Sequence, residues 1–259
     1  MTFVWDLHVH ASPSTSPRWG SDLALIEAAH RDGLRGFVLK SHHESTASRA
    51  IIANEFAARI GVAVQVIGSV VLNPWVSLIE LQRAIDLGAR VVWWPTRSAD
   101  GRNSKLTLPE LHSVALERVA AAGGIVATGH LSLDAARVLV SDAGRRNIPV
   151  IVTHPFNPNV GVGAQGARQL ATEGGVIEID AYSLHVHPEA VPDIVAEIAH
   201  LQAEGTRLIM SSDGGQAATG NPFDFRRRAF EGLCRAGLTE ADAFTDAASS
   251  LIEGVGIDG

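Results

Sequence analysis

The sequence has 259 residues, of which 46% are hydrophobic and 19% are charged, a composition typical of a soluble globular protein. Its net charge of −7 at pH 7 argues against a surface that binds nucleic acid or an anionic membrane. The single cysteine, Cys234, excludes an internal disulfide and indicates a reducing compartment. No run approaches the ~18 uninterrupted apolar residues of a membrane span, and the N-terminus lacks the regions of a signal peptide, so we expect a cytoplasmic protein.

Short apolar runs alternate with helical patterns along the chain. The predicted strands cover residues 3–9, 36–40, 63–72, 90–94, 124–128, 148–153, 175–180 and 206–212. Predicted helices cover 21–31, 47–59, 76–86, 108–122, 132–145, 164–172 and 190–203, and two more close the chain at 223–235 and 239–253. Most strands are continuous apolar runs, which indicates a parallel sheet buried on both faces. Eight alternations in a chain of this length predict an α/β fold with one domain over 1–259, a single (β/α)8 TIM barrel with C-terminal helices.

Histidines concentrate at the ends of these strands. Eight of the eleven lie at the end of a predicted strand or shortly after it: His8, His10, His42, His43, His130, His154, His185 and His187. Because the C-terminal ends of barrel strands meet at one rim, side chains from distant segments can converge there. Imidazole is the commonest protein ligand for metals, so the pattern predicts a metal site at the mouth of the barrel.

The strongest ligand candidates come from four different strands. They are His8, His10, His130, His154 and Asp213, which follow the first, fifth, sixth and eighth strands. His8 and His10 are two residues apart on a strand and therefore point to one face, which we expect to be the barrel interior and to include Asp6. One histidine at a strand end is often structural, and a lone His-x-His pair is weak evidence. Five such groups on four strands predict metal binding.

This pattern resembles the amidohydrolase superfamily. Barrels of that superfamily carry His-x-His after strand one, a His after strand five, a His after strand six and an Asp after strand eight. The resemblance covers nearly the whole chain and implies a metal-dependent hydrolase. It also implies that Asp213 both binds the metal and accepts the proton of the attacking water.

A second resemblance concerns the N-terminal part alone. Residues 6–14, Asp-Leu-His-Val-His-Ala-Ser-Pro-Ser, followed by the strand that leads to His42, are similar to the polymerase and histidinol phosphatase (PHP) family. That family usually ends its last strand with Asp-x-His, whereas here the sequence is Asp213-Gly214-Gly215. The chain is also similar to an uncharacterised group of predicted metal-dependent hydrolases with the signature Lys-Ser-His-His, found here at 40–43.

Lys40 is the only lysine at the end of a predicted strand. Many amidohydrolases bridge two metals with a carboxylated lysine at the end of strand four, but residues 91–96 contain no lysine. Lys40 and His42 are two residues apart, so on a strand their side chains point to the same face and both can face the mouth of the barrel. We consider two roles for Lys40: a carbamylated metal ligand that bridges two ions, and an ammonium that pairs with Asp213 or with a substrate carboxylate.

His42 and His43 are neighbours on a strand and therefore point to opposite faces, so we expect only one of them to serve the site. We predict His42, as a further ligand or a substrate contact, and place it with Asp213 among the catalytic residues. The predicted substrate-binding residues are Arg18, Arg97 and His185, each on a loop after a strand.

A guanidinium matches a carboxylate or phosphate, so arginines near the metal indicate an anionic substrate. The alternative for each of these loop residues is a solvent-facing side chain. The basic run 226–228 on a closing helix is predicted to be a solvated face.

The sequence therefore predicts a hydrolase that cleaves a C–N or C–O bond of an amide, lactone or ester in a small molecule. The expected cofactor is one or two Zn²⁺ ions, with Mn²⁺ or Fe²⁺ as alternatives, because metal choice follows availability as well as affinity. The alternatives are a PHP-type phosphoesterase, a metal-dependent decarboxylase on the same barrel, and a non-catalytic metal-binding protein. The expected partner is the substrate alone, with no nucleic acid and no membrane, and a homo-oligomer remains open.

Overall fold

The computed structural model describes residues 3–239, 243–254 and 256. The strands are β1 (Trp5–Val9), β2 (Gly36–Leu39), β3 (Gln65–Ile67), β4 (Ser69–Val71), β5 (Val91–Trp93), β6 (Ile125–Ala127), β7 (Val150–Val152), β8 (Val176–Asp180) and β9 (Leu208–Ser211). The helices are α1 (Asp22–Arg31), α2 (Ala47–Arg59), α3 (Leu78–Asp86), α4 (His112–Ala121), α5 (Leu133–Gly144), α6 (Gly163–Thr172), α7 (Ala181–Val186), α8 (Val191–Ala203), α9 (Pro222–Arg235) and α10 (Ala243–Glu253). Within these described ranges, every helix is too short or too polar to span a bilayer.

The strands form one parallel barrel, as predicted. The segments β1, β2 and β3 pair in that order, and β4 to β9 pair in sequence order. Segments β3 and β4 are two halves of the third predicted strand, 63–72, which is interrupted at Gly68. A Cβ atom at Gly68 would lie 2.6 Å from the Cα of Ala47, so only glycine lets the start of α2 approach the strand this closely. The first half pairs with β2 and the second with β5, so the barrel wall continues through the break.

The barrel closes between β9 and β1. Val9 forms a parallel bridge with Gly214, and the amide of His10 donates to the carbonyl of Gly214 at 2.9 Å. The register of β1 against β2 shifts between Asp6 and Val9, which interrupts the alternation of side chains along β1. Leu7 therefore packs with the inward apolar residues of the other strands. The expectation that Asp6 shares the inward face of the histidines is wrong.

Asp6 instead connects the closing strands to α9. Its Oδ1 accepts hydrogen bonds from the amides of His8, at 3.2 Å, and Ser212, at 3.0 Å. Its Oδ2 lies 3.6 Å from Nη1 of Arg226, and both side chains are buried. Burial raises the pKa of the Asp6 carboxyl, although the charge of Arg226 opposes this rise.

Arg226 completes this connection from the other side. Its guanidinium donates to the carbonyls of Trp5 in β1 and Met210 in β9, and its side chain is 1% exposed. The prediction that the whole run 226–228 is a solvated face is therefore wrong for Arg226. The neighbouring Arg227 is 57% exposed and pairs with two acidic residues of its own helix, Asp224 and Glu231.

We expect Arg226→Met to lower the free energy of unfolding by about 3–5 kcal/mol, because it leaves the buried Asp6 carboxylate without its partner. Arg227→Met on the same helix is the matched control and should leave the unfolding midpoint in denaturant nearly unchanged. Equal midpoints for the two variants would show that the Asp6–Arg226 pair does not stabilise the closure of the barrel.

Candidate metal centre

Three predicted ligands, two from the first strand and one that follows the last strand, meet at the mouth of the barrel. The Oδ1 atom of Asp213 lies 3.0 Å from Nε2 of His8 and 3.1 Å from Nε2 of His10. One ligand atom from each of the three residues lies within 4.8 Å of the others. Both imidazoles are buried, and the Asp213 side chain is 13% exposed. Two imidazole nitrogens and a carboxylate oxygen are ligands that suit zinc, with room left for a water or a substrate.

A tight turn after β9 brings Asp213 to this position. Asp213 has a φ of 41° and Gly215 has a φ of 102°. A Cβ atom at Gly215 would lie 1.8 Å from the carbonyl oxygen of His10, so no residue except glycine fits there. The hydroxyl of Ser212 donates to the carbonyl of His8 at 3.1 Å. The turn is thereby attached to the strand that carries both histidines.

Lys40 extends from the end of β2 to the same point. Its Nζ lies 2.9 Å from Nε2 of His8 and 4.2 Å from the centre of the Trp93 ring. Burial lowers the pKa of Lys40 to about 8, although the charge of Asp213 opposes this shift. The structure thus places the Lys40 amine beside the three ligand candidates, a position that either of its two predicted roles requires.

Backbone carbonyls fix the tautomers of two of the imidazoles. Nδ1 of His10 donates to the carbonyl of Lys40 at 3.0 Å, and Nδ1 of His130 donates to the carbonyl of Asn103. The proton of each neutral ring is therefore held on Nδ1, so Nε2 keeps its lone pair. A hydrogen bond of this kind is the usual way in which proteins orient a metal-binding histidine.

Glu178 orients His8 as the backbone carbonyls orient His10 and His130. The sequence analysis did not identify Glu178. Its carboxylate oxygens lie 3.2 and 3.3 Å from Nδ1 of His8, and its Oε2 accepts from the amide of His154 at 3.1 Å. Glu178 is fully buried inside the barrel on β8. An acidic residue in an apolar strand, as in Val176-Ile-Glu-Ile-Asp180, is the signal that could have identified it.

His154, His130 and His42 surround the three ligand candidates. The ring centre of His154 lies 5.0 Å from that of His130 and 5.8 Å from that of His8. His42 stacks on His10 at 5.1 Å, and its Nδ1 lies 2.9 Å from the hydroxyl of Thr96. The structure therefore brings together all of the predicted metal ligands at one end of the barrel.

Burial keeps most of these imidazoles neutral. It lowers the pKa of His130 to about 3 and that of His10 to about 3, and it holds the pKa of His42 and His154 well below the usual value. Metals bind the neutral imidazole, so these rings are in the form that a metal requires. In addition, Nδ1 of His154 is buried without a hydrogen-bond partner among the described residues. A buried ring nitrogen without a partner fits a metal ligand.

The carboxylates carry the charges that balance this cluster. Burial lowers the pKa of His8, but the charges of Asp213 and Glu178 outweigh it and raise the pKa to about 9. The same attraction to His8 holds the pKa of Asp213 well below its usual value, despite its burial. Burial and the charges of Asp213 and Glu178 raise the pKa of Asp180 to about 7.

A cavity of about 360 Å³, which we call the mouth cavity, opens above these residues. Among the residues that line it are His10, Arg18, Lys40, His42, Arg97, His130, His154, Tyr182 and Asp213. Two of the three predicted substrate contacts, Arg18 and Arg97, are thus at the mouth. Tyr182, which the sequence analysis did not select, lines the mouth from α7.

The third predicted substrate contact, His185, lies elsewhere. The segment after β8 was expected to be a loop, but residues 181–186 form α7, with the carboxylate of Asp180 accepting from the amide of Ser183 at 2.7 Å. His185 packs edge-on against Phe225 at 5.5 Å and lines a separate cavity next to α9. His43 also points away from the mouth and stacks against Trp75 at 6.1 Å.

Comparison with known proteins identifies a family and a fold. The model of a family described as "Family of unknown function (DUF6282)" matches residues 4–113 and 102–178. No curated protein matches the sequence.

Solved structures of similar fold include an amidohydrolase from Pseudomonas aeruginosa, with a TM-score of 0.66 and 12% identity over 98% of this chain and 97% of that one. A phosphotriesterase homology protein from Escherichia coli, with phosphate in its active site, has a TM-score of 0.69 and 13% identity over 96% and 98%. A lactonase from Listeria monocytogenes has a TM-score of 0.58 and 12% identity over 95% and 94%. At these identities the likeness concerns the fold, and it confirms the predicted (β/α)8 barrel. The resemblance to the amidohydrolase superfamily therefore holds for the architecture, while the similarity of residues 6–14 to the PHP family stays a prediction.

We expect Glu178→Gln to weaken metal binding about 10–100-fold, because it removes the negative charge that orients His8. The affinity is measured by competition with a chelator. Glu197→Gln is the matched control, since Glu197 is also buried but pairs with Arg168 at 2.6 Å on the outer helices. If both variants bind metal as the wild type does, Glu178 has no part in the metal site.

Proposed function

The chain belongs to the DUF6282 family of unknown function, and from the chemistry of its barrel mouth we propose that it is a metal-dependent hydrolase. The proposed reaction is cleavage of a C–N or C–O bond in an amide, lactone or ester of a small molecule by a metal-activated water. The observation that supports it most directly is the meeting of His8, His10 and Asp213 within 4.8 Å beside neutral imidazoles. A purely structural zinc site would be closed by four ligands, whereas here His10, Asp213 and other donors line an open cavity.

The donor set fits a divalent transition metal. His8, His10 and Asp213 would hold the ion, and His130 and His154 would supply further nitrogens for the same ion or a second one. We propose Zn²⁺ as the metal, with Mn²⁺ or Fe²⁺ as alternatives, because imidazole and carboxylate ligands suit all three. When bound, the ion would lower the pKa of a water and polarise the scissile carbonyl.

The protein's own groups would handle the protons. The charge of His8 holds the pKa of the Asp213 carboxyl well below its usual value in the metal-free protein, and a bound cation would likewise keep this carboxylate ionised. It can therefore accept a proton from the attacking water and pass it to the leaving group. His42 has its Nδ1 against Thr96, so its Nε2 remains to contact the substrate or a second metal. Arg18 lines the same cavity and would attract an anionic substrate group.

The second candidate function is phosphoester hydrolysis. Two features favour it: the cations Arg18, Arg97 and Lys40 line the mouth, and the Escherichia coli relative holds phosphate in its active site. The turn after β9 counts against the PHP type. The final histidine of the Asp-x-His pattern would stand at Gly215, where even a Cβ atom would lie 1.8 Å from the carbonyl oxygen of His10. We therefore rank amide, lactone or ester hydrolysis first.

We expect protein purified without chelators to contain stoichiometric metal, and a His8→Ala/His10→Ala variant to contain none. Elemental analysis measures both. His30→Ala/His200→Ala is the matched control, because these two exposed histidines lie on α1 and α8. A wild-type protein that stays metal-free after reconstitution with zinc, manganese and iron would exclude the proposed hydrolase.

A panel of chromogenic esters, lactones and phosphoesters separates the two candidate functions. We expect turnover of carboxylic esters or lactones, lost in the His8→Ala/His10→Ala variant. Turnover of phosphoesters alone would reverse the ranking.

For Lys40 we propose the carbamylated form, which would bridge two ions beside His8. We expect the wild type to hold two metals per chain and Lys40→Ala to hold one, while the thermal unfolding midpoint of the metal-free proteins stays similar. A Lys40→Ala protein that keeps two metals would leave the ammonium role for Lys40.

A further inference from the structure

A second cavity lies next to the mouth and differs from it in chemistry. It measures about 560 Å³, a size that suits a small-molecule ligand, and we call it the side cavity. The loops that follow β4 and β5 enclose it. Its apolar lining includes Leu72, Val76, Leu78, Leu106, Leu108 and Leu111.

Arg97 lines both cavities and so stands at their junction. Its side chain is half-buried, and its guanidinium makes no hydrogen bond or ion pair with any residue that the structure describes. A half-buried cation without a counter-ion at a cavity junction fits a ligand that brings the negative charge.

The backbone of Arg97 is held firmly in relation to the metal centre. The amides of Thr96 and Arg97 both donate to Oδ1 of Asn73 at 2.8 Å, and Nδ2 of Asn73 donates to the carbonyl of His42 at 2.6 Å. Asn73 is buried and therefore fixes the distance between the Arg97 backbone and His42. Arg97 thus lies between the chamber that holds the candidate metal centre and the apolar chamber, and it lines both.

We propose that the substrate is an amide or ester that carries a carboxylate next to an apolar aryl or alkyl group. The apolar group occupies the side cavity, the carboxylate pairs with Arg97, and the scissile bond lies at the metal centre. This assignment of substrate class rests on the proposed hydrolase function. For an N-acylated apolar amino acid, the oxygen of the water bonds to the acyl carbon and the C–N bond breaks. The two protons of the water go to the nitrogen, which gives a carboxylate and an ammonium.

Binding of phenylbutyrate tests the site without requiring hydrolysis. This probe has the carboxylate and the apolar ring but no scissile bond, and phenylbutanol is its neutral counterpart. Calorimetry is done on the wild type and on the His8→Ala/His10→Ala variant, so that a carboxylate bound to the metal is separated from one bound to Arg97.

We expect Arg97→Gln to weaken phenylbutyrate binding about tenfold or more in both backgrounds, while phenylbutanol binding is unchanged. Arg59→Gln, an exposed arginine on α2, is the control and should have no effect. We expect Leu108→Trp, which fills the side cavity, to weaken both probes. Ile79→Trp is its control, because Ile79 is 64% exposed and lies outside the cavity.

Leu78→Trp fills the side cavity from α3 and provides a second test if Leu108→Trp unfolds. Absent phenylbutyrate binding, or equal binding by the wild type and Arg97→Gln, would overturn the proposed substrate class. Such a result together with turnover of a substrate from the panel would leave the hydrolase function standing. If phenylbutyrate binding depends on Arg97 but the protein contains no metal and turns over no substrate, the anion and apolar subsites stand. The proposed hydrolase function is then rejected.

Discussion

The closure of the barrel by Asp6 and Arg226 is the constraint on which the site depends. We call the junction between β1 and β9, where the barrel closes, the seam. Asp6 accepts hydrogen bonds from the amides of His8 and Ser212, one on each side of the seam, and Arg226 donates to carbonyls of both β1 and β9. The register shift in β1 turns Asp6 away from the interior and leaves His8 facing it. Since His8 and Asp213 belong to opposite sides of this seam, their 3.0 Å contact exists only while it is closed.

The site is a buried cluster of charges that nearly cancel. In the metal-free protein, the unmodified Lys40 amine and His8 bring positive charge, and Asp213 and Glu178 bring negative charge, all away from bulk water. Removing a charge from water costs several kcal/mol unless partners replace the solvent, so such a cluster persists only when the fold determines each position. A divalent cation would change this balance, because it replaces protons on the same atoms. The pKa shifts of the cluster are therefore those of the metal-free protein.

Much of the fold followed from the pattern of apolar runs, since eight buried parallel strands with helices between them have few alternatives. The exceptions have local causes. The third strand is broken at Gly68 because α2 approaches it, and α7 begins after Asp180 because that side chain caps the helix. Neither effect is visible in periodicity. The predicted ligands also met as expected, because strand ends of a barrel share one rim.

Other features of the site depend on contacts between distant segments. Glu178 is recognisable in the sequence as an acid in an apolar strand, but its partner His8 lies 170 residues away. The burial of Arg226 was missed because it was grouped with Arg227 and Arg228, although the spacing of Phe223, Phe230 and Leu233 places position 226 on the buried face of α9. His185 was assigned to the mouth because it follows a strand, yet the short helix α7 carries it to another cavity. The partner or cavity that each of these residues reaches is set by packing between distant segments rather than by its local sequence.

The position of Asn73 has a consequence for how members of this family diverge. One buried amide contacts both the loop that carries Arg97 and the strand end that carries His42. The loop that follows β5 cannot be exchanged for that of a relative as an independent module unless the new loop presents amides to the same oxygen. Changes in ligand preference should therefore accumulate in the outer part of the loop, around residues 98–111. The first residues of the loop, Thr96 and Arg97, stay constrained by their hydrogen bonds to Asn73.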